Sequence, residues 1–225
     1  MKFSGLQKTS LADFPDHVAS VLFTPGCNLR CPFCHNWRIV LDPKPPFLNE
    51  EDAMKILKER KPFVDSVVVT GGEPTIHKEL PEFLRKLKTH GFAVKLDTNG
   101  LDSKMLEKCL PYVDYVAVDV KTGIQKYAKL GAMDASGLAR TIEMLKNGKV
   151  EYEFRTTVVP GFVDERDMHE ICELVKGAKV FALQQFVPED TLAKDWSTVK
   201  PYPLQIISAF AEEAKEYVES IIFRA

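Results

Sequence analysis

The run Ser66-Val67-Val68-Val69-Thr70 carries three successive valines and no polar alternation. As a strand it has no face to offer water, so both of its sides must be covered, as happens inside a parallel sheet. Parallel neighbours cannot be joined by a tight turn; each needs a crossover, usually a helix. This stretch therefore commits the chain around it to strand-helix-strand units. The rest of the sequence supplies them. Strands are expected over 17–24, 66–70, 93–98, 115–120, 151–159 and 180–186. Between them, Asn49 offers an N-cap to a helix with Glu50, Glu51 and Asp52 in its first turn and Ala53, Ile56 and Leu57 along it. Phe83, Leu84 and Leu87 mark a second helix, with Pro81 tolerable in the first turn. Further helices are expected over 103–110 and 138–145, from an Asp164 cap through 175, and around Ile206, Ile207, Phe210 and Ala214, before a strand-like tail at 220–223. The opening 5–15 reads as short and turn-rich. Asp42-Pro43-Lys44-Pro45-Pro46 can be neither regular helix nor central strand.

Strands and helices alternating at this pitch predict an α/β fold of right-handed units. Six units fall short of the ~250 residues of a closed eightfold barrel. An open partial barrel and a doubly wound sheet both fit the pattern. The 225 residues suit one domain, 1–225, with 1–16 as an N-terminal extension, 17–188 as the core and 189–225 as a C-terminal helix and tail. A formal charge of −2 gives no general case for nucleic acid or an anionic membrane as partner. No apolar run approaches the ~18 residues of a membrane span, and Met1-Lys2-Phe3-Ser4 does not begin a signal peptide. The five cysteines, three of them clustered, suit a reducing compartment, and the cytoplasm is the expected location.

That cluster is Gly26-Cys27-Asn28-Leu29-Arg30-Cys31-Pro32-Phe33-Cys34-His35-Asn36, a C-x3-C-x2-C loop directly after the first core strand. Close thiolates in such a chain indicate a metal rather than disulfides. A structural zinc site wants four protein ligands, whereas three thiolates on a four-iron cubane leave one iron open. A zinc knob completed by His35 or a distant residue is the competing reading. Cys109 follows Met105 and Leu106, and Cys172 follows Met168 and Ile171, at helical spacing, so both read as core.

In parallel α/β folds, chemistry gathers where strands end at their carboxyl termini. Besides the thiol loop, Gly71-Gly72-Glu73-Pro74, Asp97-Thr98-Asn99-Gly100 and Asp119-Val120-Lys121 fall at such ends. Arg155 lies within the fifth strand, which runs into Val159-Pro160-Gly161, and Gln184, Gln185 and Pro188 mark the sixth. Asp119 and Lys121, two apart on a strand, share a side and can share a ligand. Singly these motifs are weak; Gly-Gly-Glu-Pro or Asn99-Gly100 alone reads as a turn, and Asp119 with Lys121 as a solvated pair.

From Ser20 to about Pro188 the chain resembles the radical S-adenosylmethionine enzymes, and in particular their glycyl-radical-activating branch. The motifs that carry the resemblance are the thiol loop, the opening Gly5-Leu6-Gln7-Lys8-Thr9-Ser10-Leu11 with Asp13-Phe14-Pro15, Asp97-Thr98-Asn99-Gly100, Asp119-Val120-Lys121 and Val158-Val159-Pro160-Gly161. The resemblance implies a radical SAM core folded as a partial (β/α)6 TIM-like barrel. It implies a [4Fe-4S] cluster on Cys27, Cys31 and Cys34, which deliver the electron, with Lys121 as a further catalytic residue. It implies S-adenosylmethionine held by Phe33 near the adenine, Gly72 and Glu73 near the amino group, and Thr98 and Asn99 near the carboxylate and ribose, with Asp97 a further cofactor contact. Asp119, Lys121, Arg155, Val158 and Gln185 complete the expected cofactor contacts. The implied reaction generates a 5′-deoxyadenosyl radical and installs a glycyl radical on a partner enzyme, with anaerobic ribonucleoside-triphosphate reductase the expected partner. A one-electron reductant such as flavodoxin or ferredoxin is implied as well. One departure is visible: a relative in this branch carries a histidine where this chain has Gln184-Gln185-Phe186. Two other readings compete, a radical SAM enzyme acting on a small molecule in the manner of the 7-carboxy-7-deazaguanine synthases, and a non-enzymatic zinc or electron-carrier module.

Overall fold

The computed structural model describes residues 1–224. The chain divides into two compact units. The first comprises Met1–Asn28, Asn36–Thr98 and Lys104–Val116; the second comprises Leu29–His35, Asn99–Ser103 and the chain from Ala117 onward.

In the first unit lie β1 (Lys2–Phe3), β2 (Gly5–Ser10), β3 (Ala19–Thr24), α1 (Trp37–Leu41), β4 (Leu48–Asn49), α2 (Glu50–Arg60), β5 (Ser66–Gly71), α3 (Leu80–Thr89) and β6 (Ala93–Thr98). The valine run does what its composition demands. In β5, Ser66 through Val69 are all buried, and the strand runs parallel to β3 on one side and β6 on the other, with Val68 opposite both Val21 and Lys95. Helix α2 starts at Asn49, whose side-chain oxygen accepts the Asp52 amide hydrogen at 2.9 Å. Helix α3 turns Leu80, Phe83, Leu84 and Leu87 into the core.

After α4 (Ser103–Cys109) and β7 (Tyr115–Asp119), the second unit continues with α5 (Ser136–Lys146), β8 (Glu151–Val158), α6 (Glu165–Val175), β9 (Val180–Gln185), α7 (Leu204–Ala214) and β10 (Ser220–Arg224). Asp164 and Asp167 form a reciprocal capping box at the start of α6. Strands β8, β9 and β10 are mutually parallel. The eight-stranded sheet has the order β10-β9-β8-β7-β6-β5-β3-β2, the mostly parallel α/β arrangement that the alternation predicts.

Several stretches differ from the sequence reading, which expects no element at β1, α1 or β4. The segment expected to be turn-rich contains β2, which pairs antiparallel with β3, Leu6 opposite Leu22 and Gln7 opposite Val21. Gln7, Lys8 and Thr9 are exposed there. An edge strand tolerates polar residues, so its ladder with β3 sets its conformation rather than any hydrophobic period. The first core strand also opens at Ala19 instead of 17, because Asp16 takes a left-handed turn conformation with φ 61°. At the other end the tail extends the sheet beyond six units: β10 lies parallel to β9 with Ile222 opposite Ala182, across the crossover helix α7. Cys109 and Cys172 are fully buried, as their helical spacing predicts. Among the described residues, no helix is long and apolar enough to cross a membrane.

Candidate active site

In the first unit, β3 hands the chain to the thiol loop and β5 ends beside that junction. Thr24 accepts the Gly72 amide at 2.9 Å, and the Gly26 carbonyl accepts the Glu73 amide at 2.9 Å. The approach is close enough to exclude a side chain. A Cβ on Gly72 would stand 1.7 Å from the Gly26 oxygen, and one on Gly71, at φ 114°, 2.4 Å from the Thr24 nitrogen. Three more bonds hold the loop's flanks: Gly26 donates to the Ile39 carbonyl at 2.7 Å, Asn36 Nδ2 to the Gly71 carbonyl at 2.8 Å, and His77 Nε2 to the Pro25 carbonyl at 2.9 Å. Cys27 sits half-buried on this part of the loop.

Glu73 itself is 1% exposed. Its Oε1 accepts the Thr75 amide at 3.0 Å, the Thr75 hydroxyl at 2.6 Å and the Thr98 hydroxyl at 2.7 Å. Glu73, Gly72 and Thr98, expected at the cofactor, are thus gathered at the ends of β5 and β6. Asp97 is buried one residue earlier, with its Oδ1 2.8 Å from the ammonium of the buried Lys95. Lys95 also donates to the Asp13 carbonyl at 2.6 Å, tying Asp97 to the N-terminal segment.

In the second unit, Cys31 is buried and Cys34 half-buried. Cys34 donates its amide to the Cys31 carbonyl at 3.1 Å, a turn that gathers the two. The backbone around them is bonded on several sides: Arg30 to the Leu130 carbonyl at 2.6 Å, Ala193 to that of Pro32 at 2.9 Å, and Leu192 to that of Cys34 at 3.1 Å. His35 spends its Nε2 on the Val187 carbonyl at 2.9 Å. Phe33 packs edge-on against Phe162, centroids 5.3 Å apart, and 6.0 Å from Trp196.

Asp119 ends β7 between two cations. Arg155 Nε donates to its Oδ1 at 2.8 Å and Lys121 Nζ to its Oδ2 at 2.9 Å. Burial alone would push this carboxyl up, but the Arg155 charge and then that of Lys121 outweigh it and hold Asp119 well below the usual carboxylate range. For Lys121 burial works downward; the charges of Asp119 and of a Cys31 thiolate overcome it and hold the ammonium well above its ordinary value. Lys121 therefore stays charged, within electrostatic range of Cys31. The Lys121 amide donates to the Tyr127 hydroxyl at 3.0 Å, and burial raises that phenol. Asn99 Oδ1 accepts the Leu101 amide at 3.1 Å. Val158 is buried in β8 opposite Gln185. Gln185 donates its Nε2 to the Tyr202 carbonyl at 3.3 Å and lies apart from the Asp119 group in its bonding. Tyr127, Phe162 and Trp196 escape sequence reasoning, since each meets the site only through folding.

The donor set suits an iron–sulfur cluster. All five cysteines are free, three share one short loop, and the other two are inert. Burial, then the charges of Glu213 and Glu173, pushes the Cys172 thiol up to about 12. Among the described residues, no three Cys, His, Asp or Glu side chains gather closely enough to hold a single metal ion.

A mostly parallel α/β sheet with three thiols after its first parallel strand, and glycine-lined and charged strand ends beyond, defines a radical SAM enzyme. Residues 21–175 match the Radical SAM superfamily, and the chain belongs to it. Within it the chain falls among the glycyl-radical enzyme activases. It is 33% identical to a Methanocaldococcus jannaschii protein provisionally assigned as a glycyl-radical enzyme activating enzyme, over 98% of this chain and 95% of that one. It is 25% identical to the pyruvate formate-lyase-activating enzyme of Clostridium pasteurianum, over 98% and 96%. Among solved structures, QueE from Escherichia coli superposes with a TM-score of 0.58 at 19% identity, covering 100% of this chain and 93% of that one. At that identity the likeness shows the fold. Members of the family use a [4Fe-4S] cluster and S-adenosylmethionine.

Proposed function

We propose that the protein installs a glycyl radical on a partner enzyme, with Cys27, Cys31 and Cys34 as cluster ligands and Asp119, Lys121 and Arg155 as part of the cofactor site. The observation that carries this reading is the thiol loop, whose backbone is bonded to the structure on both flanks while its three thiols are left uncommitted to disulfides. Residues 27 to 34 span eight positions, so the chain itself keeps the thiols within reach of one cubane. When bound, the cluster would supply the electron for reductive cleavage of S-adenosylmethionine, and with it the chemistry that removes a hydrogen atom from glycine.

The protein's own residues do the positioning. Gly72 presents bare backbone, and Glu73 fixes the Thr98 hydroxyl at the adjoining strand end. The paired Asp119 and Arg155 hold opposite charges at fixed places for the zwitterionic end of the cofactor. Lys121 sets a permanent positive charge toward Cys31, favouring its thiolate. The Phe33–Phe162–Trp196 group supplies an apolar wall that excludes water from a radical. The partner in this reading is anaerobic ribonucleoside-triphosphate reductase, and a flavodoxin or ferredoxin is the electron donor. The relationship to activating enzymes over 98% of the chain supports a protein substrate.

The test is anaerobic. Reconstituted protein should hold about four irons, lost in Cys27→Ala, Cys31→Ala or Cys34→Ala and kept in Cys109→Ala. Reduced protein mixed with S-adenosylmethionine and the reductase should then give a glycine-centred doublet by electron paramagnetic resonance. That signal should vanish when the reductase's radical-bearing glycine becomes alanine. Full iron in Cys31→Ala sinks the ligand assignment. Efficient turnover of a small purine precursor, with no radical on any partner, sinks the protein substrate.

A further inference from the structure

The charged group at Asp119 does not end at Arg155. Glu153 lies two residues before Arg155 on β8, so both side chains leave the same face of the strand. Its carboxylate is 1% exposed and is taken by Arg224 of β10 through two bonds, NH1 to Oε1 at 3.1 Å and NH2 to Oε2 at 2.6 Å. Arg155 NH1 stands 4.0 Å from the same Glu153 Oε1 while its Nε bonds Asp119 at 2.8 Å. Two carboxylates, Asp119 and Glu153, thus flank one arginine. Its Nε is bonded to the first, while the second is bonded from the other side by Arg224.

A buried carboxylate without a cation is costly, so Glu153 would take whatever cation it could reach. With Arg224 gone, the other cation within reach among the described residues is Arg155. Closing from 4.0 Å to the ~2.8 Å of a charge-assisted bond needs only a small side-chain shift. That shift draws the guanidinium toward Glu153 and loosens its bond to Asp119. We propose that Arg224 is a positioning residue for the cofactor site: by occupying Glu153 it keeps Arg155 on Asp119, and so sets the affinity for S-adenosylmethionine from a strand that carries none of the expected cofactor contacts. The inference rests on the reading that Asp119 and Arg155 serve the cofactor.

The experiment is equilibrium binding of S-adenosylmethionine to cluster-reconstituted protein, with a thermal melt for each variant so that binding is read well below unfolding. Arg224→Met should raise the Kd at least about tenfold, the scale of lost outer-shell support. Arg224→Lys, which keeps the charge but not the two-bond fork, should fall between. The deciding variant is the double Glu153→Gln/Arg224→Met. A neutral amide no longer draws Arg155 away, so affinity should return to within about twofold of wild type. A mere loosening of β10 predicts no such return. Wild-type affinity in Arg224→Met, or a double variant as weak as the single, overturns the proposal. Asp119→Asn runs alongside. If it too binds normally, the cofactor reading falls and takes this inference with it; if it binds weakly while Arg224→Met does not, this inference alone falls.

Discussion

Asp119 anchors two cations at once, so replacing it is a stability experiment as well as a functional one. Asp119→Asn leaves Arg155 and Lys121, both mostly buried, without their shared counter-ion. The expected cost is about 3 kcal/mol, the lower end of the range for removing one partner of a buried pair, since all three side chains keep some exposure. The melt should fall, iron content should stay, and affinity for S-adenosylmethionine should drop. Retained melting temperature together with full binding would show that Asp119 carries neither duty. The spacing of Asp119 and Lys121 made their shared side legible from the sequence alone. The third member was less so. Arg155 could be placed on a strand, but its bond to Asp119 follows from β7 and β8 lying adjacent in the sheet, which no local pattern encodes. Tyr127 and Trp196 were invisible for the same reason, being aromatic residues indistinguishable from core until the chain closes on them.

Among elements, the turn after β5 is the least forgiving. Gly71-Gly72 reads as an ordinary turn in the sequence, and only the fold reveals that the Gly26 carbonyl occupies the space where a Cβ of residue 72 would sit. Gly72→Ala should therefore break the two backbone bonds that tie Thr24 and Gly26 to the turn after β5, costing roughly 2–4 kcal/mol and lowering iron uptake on reconstitution. Gly5→Ala is the matched control, since its Cβ would meet only Phe23 Cδ2 at 3.9 Å. Equal melts and equal iron in the two variants would refute this account. Strands with continuous apolar runs and helices with clear caps are legible in the sequence because burial on both faces and end chemistry are written locally. Strand β2 is not, because Gln7-Lys8-Thr9 carries no hydrophobic signal and owes its conformation to Val21 and Leu22 across the ladder.

For the whole molecule, alternation fixed the class of fold while pairing fixed its extent. The tail at 220–223 could be read as strand-like, yet its place as the parallel neighbour of β9 comes from the five-residue ladder between the two strands, which no local pattern encodes. The thiol loop has a consequence for how the enzyme is matured. Its backbone is hydrogen-bonded to the surrounding protein at Gly26, Arg30, Pro32 and Cys34. Small zinc modules, by contrast, are unfolded until metal arrives. Iron delivery should thus meet a finished client, with apoprotein and reconstituted protein giving matching far-ultraviolet circular dichroism and melts within a few degrees. An apoprotein that lacks secondary structure would contradict this. Folding and cluster loading then become separate steps, the melt reporting the first and iron content the second.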